Sequence, residues 1–339
     1  MTPLAQVAVG LSIGGLGGLL FHLLSLPLPW MLGALMATTA ASVAGWPIRG
    51  PARLRPVIVA VIGVLLGSRF TPDILAQAGR MLSSLSILLA YLAMVGGVSV
   101  SYFRFVGRQD WTTAYFAGMP GGLSEMVELG EARGANVPVI VLAHSLRIVL
   151  TIALMAILFR LVLGHHVGAA PVRVGAAIGP LDAALLIACA GFGMPLGKAF
   201  RLPAPTFLGP LILSAAVHMA GLTASVPPNV LVTAAQVALG TILGCRFLGI
   251  SVSTLARACA LNLGATLLTL MLALGGALAM QHLAGVRLDQ GILALAPGGL
   301  TEMGLIALAI QADVAFVAVH HVIRILAVIV LAPLLLRHR

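Results

Sequence analysis

Two glutamates and two arginines are the residues of this chain that most need a chemical reason. Glu125 and Glu302 lie near the middle of apolar stretches, where an ionised carboxylate costs roughly 2.5–3.5 kcal/mol on insertion scales. Arg147 and Arg324 face the same cost on the apolar segments that follow. Pairing acid with base offsets part of that desolvation. The expectation is therefore Glu125 with Arg147 and Glu302 with Arg324, or the same four groups crossed between the halves. Ser124 and Thr301 put a hydroxyl beside each glutamate. His144 and His321 stand three residues before each arginine, on the same face of a helix. Such a set could bind an anionic or zwitterionic solute, relay protons, or act only as static ion pairs that lock helices together.

The segment carrying each glutamate is interrupted by Pro120-Gly121-Gly122 or Pro297-Gly298-Gly299. Proline removes a backbone donor, and glycine lowers helix propensity at the next two positions. A broken or re-entrant helix is expected at both places. Unpaired backbone groups at membrane depth are tolerated only where protein or a water-filled cavity satisfies them, and membrane carriers build midplane substrate sites in this way.

Other candidates carry less. Adjacent histidines occur at His165-His166 and His320-His321, but neighbours on a helix point about 100° apart and chelate poorly. Neither a metal site nor a cofactor is expected. Arg69 and Arg246 each end an apolar segment after a leucine-glycine pair and read as snorkelling anchors. Cys189, Cys245 and Cys259 are odd in number and lie in or beside apolar blocks, so packing is expected of them and a disulfide framework is not.

The elements that hold these residues come twice. Pro120-Gly-Gly-Leu-Ser-Glu-Met126 returns as Pro297-Gly-Gly-Leu-Thr-Glu-Met303, and His144-Ser-Leu-Arg147-Ile returns as His321-Val-Ile-Arg324-Ile. Leu66, Gly67, Arg69 and Phe70 return as Leu243, Gly244, Arg246 and Phe247. Leu-Pro-Leu-Pro at 26–29 returns as Leu-Pro-Ala-Pro at 202–205. Three of these blocks recur at an offset of 177 and the fourth at 176, all in one order, which defines a first repeat over 1–163, a linker at 164–175 and a second repeat over 176–339. Segments are expected at 4–25, 29–46, 55–70, 82–103, 112–130 and 137–163, then at 176–197, 204–222, 229–246, 256–281, 289–309 and 314–336.

Composition assigns the solvent. Hydrophobic residues make up 60% of the 339 positions and charged residues 8%, against about 45–50% and 25% in soluble domains. The apolar blocks run near the roughly 20 residues that cross a bilayer. The fold class expected is an all-α polytopic membrane protein. Met1 to Gln6 carries no basic side chain, so 4–25 reads as a retained helix and not a signal peptide. Lys and Arg exceed Asp and Glu by 19 to 9. They are scattered through short gaps, where cytoplasmic bias and anionic lipid account for them. No nucleic-acid partner is expected.

The charges also suggest how the halves are oriented. The gap at 47–55 holds Arg49, Arg53 and Arg55 while its counterpart at 223–228 holds none; 26–28 is uncharged while 198–201 carries Lys198 and Arg201. An inverted repeat, with about five crossings and one broken or re-entrant segment per half, would produce that alternation.

The doubled Pro-Gly-Gly-Leu-[Ser/Thr]-Glu-Met and His-x-x-Arg-Ile elements resemble a bacterial membrane family with a duplicated AbrB domain, over essentially the whole chain. That family carries two labels, transcriptional regulator and ammonia monooxygenase. A regulator that reads DNA needs an exposed basic element, and a copper monooxygenase needs a ligand cluster; neither is visible in the residues. The layout is similar to that of ion and organic-acid carriers with inverted repeats and crossed broken helices. The resemblance thus implies a multi-pass protein of the bacterial inner membrane, moving a small molecule or ion, with no enzymatic activity expected. A regulator acting indirectly on gene expression is the alternative reading, and a homo-oligomer stays open.

Overall fold

The structure, a computed structural model, describes residues 1–26, 28–72, 78–164 and 178–335. Apart from Gly164, the expected linker lies outside the described residues, as do His165 and His166. Fourteen α-helices and no strand are found among the described residues. In the first half they are α1 (Pro3–Leu23), α2 (Pro29–Val43), α3 (Arg55–Gly67), α4 (Ala78–Phe105), α5 (Trp111–Gly118), α6 (Leu123–Glu131) and α7 (Val137–Ile157). The second half has α8 (Pro180–Ala199), α9 (Pro205–Met219), α10 (Asn229–Gly244), α11 (Val252–Ala284), α12 (Leu288–Leu295), α13 (Leu300–Ala309) and α14 (Val314–Leu335). Helices α5, α6 and α7 begin at 111, 123 and 137, and α12, α13 and α14 at 288, 300 and 314. The segments expected at 112–130 and 289–309 are each two helices.

Local chemistry sets these boundaries. Proline opens α1, α2, α8 and α9, where its fixed φ is preorganised and its missing N–H costs nothing. Thr2 caps α1 by accepting the Ala5 amide at 3.3 Å, and Asp110 caps α5 by accepting the Thr113 amide at 2.9 Å. The helices between those caps are rich in Leu, Ala and Met, which lose little freedom on becoming helical.

Six helices are long and apolar enough to cross a membrane: Pro3–Leu23, Gly79–Phe105, Val137–Val162, Pro180–Ala199, Asn229–Phe247 and Val252–Ala284. Their outward faces are apolar as well. On α8 alone Leu181, Ile187 and Phe192 are each about 70% exposed, a surface that water would penalise and acyl chains would not.

The chain forms two compact units, and each draws on both halves of the sequence. One comprises Met1–Leu75, Met155–Val252 and Gly304–Ala315; the other comprises Ala76–Leu154, Ser253–Met303 and Phe316–Arg339. In the first unit α2 packs on α1 and α10, and reciprocally α9 packs on α8 and α3. Glycines allow these contacts. A Cβ on Gly33 would strike the Gly17 carbonyl group, and one on Gly209 would strike that of Gly193, whose carbonyl carbon lies 2.7 Å from the added atom. Without a hydrophobic drive between helices in lipid, such backbone approach supplies the attraction.

Gly209→Ala is accordingly expected to cost about 1–3 kcal/mol, the usual range for overpacking. Gly15→Ala on α1, where a new methyl meets nothing within 4 Å, is the control expected to be neutral or slightly stabilising. Thermal unfolding of the purified variants separates the two, and equal melting temperatures would show that the Gly193–Gly209 approach contributes nothing.

Candidate functional site

The second unit holds both Pro-Gly-Gly elements. Helix α5 ends at Gly118, Met119 turns to an extended conformation, and α6 starts from Gly122 as its N-cap. Helix α12 ends at Leu295 with Ala296 extended, and α13 starts at Leu300. Proline at 120 and 297 cannot donate to the preceding turn. Each break therefore leaves carbonyl groups of the first half-helix without amide partners.

Arginine supplies the donors. Arg147 Nη1 donates to the Met119 carbonyl at 3.0 Å and Nη2 to the Gly121 carbonyl at 3.3 Å. In the second half Arg324 Nη1 donates to the Ala296 carbonyl at 2.5 Å and Nη2 to that of Gly298 at 2.8 Å. The guanidinium fork thus spans each break and places positive charge at the negative end of a helix dipole.

The histidines complete the arrangement. Arg147 donates to His144 Nδ1 at 2.8 Å, and His144 Nε2 donates to the Phe116 carbonyl at 2.8 Å. Arg324 donates to His321 Nδ1 at 3.1 Å, and His321 Nε2 donates to the Leu293 carbonyl at 2.9 Å. An arginine cannot accept, so each imidazole is the tautomer protonated on Nε2. His144 and His321 are buried and serve as struts between an arginine and a half-helix.

This corrects the expected acid–base pairing. Among the described residues neither Arg147 nor Arg324 forms an ion pair with a glutamate, because the carbonyls freed by the break lie in reach of the same nitrogens. A salt bridge does form between Arg287 and Asp289 at the start of α12, at 2.5 Å. Glu125 and Glu302 sit in the first turns of α6 and α13, where a negative charge complements the helix N-terminus. Each break therefore has a guanidinium over its carbonyls and a carboxylate in the first turn of the helix that follows.

The geometry also explains each glycine of the motif. A Cβ on Gly121 would lie 2.8 Å from Met126 Cε, and one on Gly298 would lie 2.6 Å from Met303 Cε. A Cβ on Gly122 or Gly299 would land on the carboxylate of Glu125 or Glu302 respectively. The first glycine makes room for the methionine and the second for the glutamate. Gly299→Ala is expected to expel the buried Glu302 carboxylate from its place and lower stability by about 1–3 kcal/mol, with Gly122→Ala less costly because Glu125 is half-buried. Equal melting temperatures for Gly299→Ala and wild type would refute this role of the second glycine.

Both breaks line one cavity. Pro120 and Pro297 form part of its wall together with Arg147, Ser99, Asn262, Thr266 and Thr269. Arg147 and Arg324 feel one another's charge, and Tyr91, itself buried, lies in the field of both. The structure thus brings the two arginines together near the breaks, with His144 and His321 directly behind them. Thr301 is half-buried in the first turn of α13, and Ser124 takes the equivalent position in α6. The adjacent His320 points elsewhere: its Nδ1 donates to the Phe316 carbonyl at 2.8 Å, and its Nε2 lies 2.9 Å from the Ser84 hydroxyl.

Asn262, Thr266 and Thr269 do not figure in the expectations drawn from sequence. All three are buried on α11. Their spacing of four and three residues puts them on one face of an otherwise apolar helix, and that pattern is the signal that could have found them.

Helices of this length and surface make the chain a multi-pass membrane protein, and the capped breaks distinguish it from a plain bundle of spans. A family profile described as Transition state regulatory protein AbrB matches residues 30–339, and the chain belongs to this AbrB family. It is 25% identical over 351 residues to the uncharacterized protein YhjN of Bacillus subtilis (strain 168), covering 95% of this chain and 90% of that protein. It is also 25% identical over 346 residues to a protein of Escherichia coli (strain K12) provisionally named regulator AbrB, covering 98% of this chain and 94% of that protein.

Proposed function

We propose that the protein is a secondary carrier of a small anionic or zwitterionic solute in the bacterial inner membrane, and not an enzyme. The observation that carries this reading is the convergence of Pro120, Pro297 and Arg147 on one cavity. Broken helices with their ends aimed at a common space are how carriers hold a solute at membrane depth without a polar tunnel. Arg147 and Arg324 give that space its positive character, and Glu125 and Glu302 are the groups that couple it to a proton or ion gradient. Inverted halves, suggested by the charge alternation between gaps, supply the two equivalent breaks needed for access from either side.

Reconstitution tests the proposal. Proteoliposomes holding the full chain should take up a labelled small carboxylate or amino acid, saturably and under an imposed ion gradient. Arg147→Ala should abolish the uptake. Uptake no greater than in protein-free liposomes across the panel, with folded protein, would refute it.

A second reading is favoured by the regulator name of the Escherichia coli relative. There the protein would alter gene expression indirectly, through a solute that it senses or carries. Altered transcript levels on deletion, combined with no flux in liposomes, would select it.

A further inference from the structure

The second unit carries another, larger cavity, of about 860 Å³, within the roughly 300–1,000 Å³ typical of sites for organic molecules. Its floor is a ridge of α4 in which Leu89, Ala93, Gly97 and Ser101 follow one another every four residues and so share a helix face. Leu89, Ala93 and Gly97 are exposed, and a Cβ built on Gly97 would meet nothing within 4 Å. Met119, in the first break, also lines the cavity and touches this ridge midway, its Sδ 3.1 Å from where a Cβ on Gly96 would stand.

Polarity gathers at one end. Trp111, Thr112 and Arg133 line the cavity there, and the Thr113 hydroxyl accepts the Asn136 amide at 2.9 Å, which holds the start of α5 level with the turn after α6. The end of α4 lies at the same level, since Arg104 sets its guanidinium carbon 6.0 Å from the centre of the Trp111 ring. Arg133 is exposed and forms no ion pair among the described residues. No carboxylate is among the described lining residues, and Asp110, beside Trp111, is committed to capping α5.

Depth and charge then select the occupant. The span Gly79–Phe105 is long enough to cross a membrane, and Ser101 stands four residues before its end. From Ser101 to Leu89 the helix covers about 18 Å at 1.5 Å per residue, against about 15 Å for one leaflet of a roughly 30 Å hydrocarbon core. The groove therefore runs from the headgroup level, where tryptophan belts lie, to the neighbourhood of the bilayer centre. An occupant that fits has an anionic head, an apolar tail one leaflet long, and access from the side.

We infer that this groove seats one resident anionic phospholipid, with an acyl chain along Leu89, Ala93 and Gly97 and its phosphate at Arg133. Arg104, Arg108 and Arg133 at the head end assign it to the cytoplasmic leaflet. The inference rests on the membrane class of the chain and not on the carrier reading. Its consequence for the fold is that lipid packs against Met119 and braces the first break.

The test is thermal unfolding of purified, delipidated full-length protein in a non-ionic detergent, titrated with dioleoylphosphatidylglycerol, dioleoylphosphatidylcholine or octanoate. Ligand that binds only the folded state raises the melting temperature saturably. Phosphatidylglycerol should raise it by about 2–4 °C more than phosphatidylcholine, and octanoate should leave it unchanged. Arg133→Gln should erase the preference between the two phospholipids. Gly97→Leu and Ala93→Phe each fill the groove and should lose the rise with both. Gly191→Leu, on α8 in the other unit and equally unobstructed, should keep it. The melting temperature of each variant without lipid shows whether it folds. Equal rises with both phospholipids in the wild type, a preference that survives Arg133→Gln, or an undiminished rise in the folded groove-filling variants would overturn the inference. So would an octanoate rise equal to that of phosphatidylglycerol, which gives the groove to a soluble amphiphile. A dimer in light scattering that Gly97→Leu splits while the lipid response stays unchanged gives it to a second copy of the chain, and also overturns the inference.

Discussion

Replacing Arg324 with alanine is expected to destabilise the protein by at least about 3 kcal/mol. The loss strands three acceptors at once, the carbonyls of Ala296 and Gly298 and His321 Nδ1, and each buried group left unsatisfied costs roughly 1–3 kcal/mol. Removing the guanidinium also removes the cost of burying it, so the expected value sits at the lower end of the sum. Arg324 is 5% exposed, which keeps water from replacing the lost donors. Arg324→Lys should recover little. A single ammonium cannot reproduce a planar fork that spans two carbonyls. The measurement is the melting temperature in detergent or nanodiscs, with a fall of roughly 6 °C or more expected. Arg147→Ala should fall less, because Arg147 is only half-buried. A change within about 1 °C for Arg324→Ala would show that the break does not depend on its cap.

The second large effect is on transport and not on stability. Glu302→Gln keeps the length and shape of a side chain folded against Gly299 and gives up its charge. As a helix cap the carboxylate is worth about 0.3–1 kcal/mol, so the melting temperature should barely move. If Glu302 couples solute movement to an ion gradient, uptake should fall on the order of 100-fold, the size expected when a buried charged hydrogen bond of roughly 2–3 kcal/mol disappears. Uptake that keeps its rate and its dependence on the gradient would reduce Glu302 to a cap.

Much of this architecture can be read from residues. The breaks are legible because proline has no amide hydrogen, and the histidine–arginine struts because a spacing of three places two side chains on one helix face. The membrane class follows from leucine and phenylalanine at positions that a soluble fold would make polar. What arginine does is not legible in the same way. Its partners are backbone carbonyls, present at every residue and distinguished only by whether a helix has left them free. A pairing scheme built from side chains alone therefore reached for Glu125 and Glu302. The polar face of α11 was missed for a related reason. Asn262, Thr266 and Thr269 carry no formal charge, and nothing in the one-dimensional chain shows that α11 borders both breaks. The compact units were hidden too, since contacts such as α2 on α10 join residues some 200 positions apart.

That last feature bears on how the protein is made. Neither compact unit can close on the product of the first half alone: one waits for α8 to α10 and the end of α13, the other for α11, α12, the start of α13 and α14. During synthesis the face of α2 that receives Gly240 and Gly244 of α10, and the Gly63–Gly67 face of α3 that receives α9, stay exposed to lipid until those helices emerge from the ribosome. The break between α5 and α6 is more independent, because Arg147 caps it from within the same half. A nascent chain thus carries one finished kink and one unfinished seam for the time taken to translate the second repeat. Two separately expressed halves, inserted side by side, would face the same wait as a diffusion problem within the bilayer.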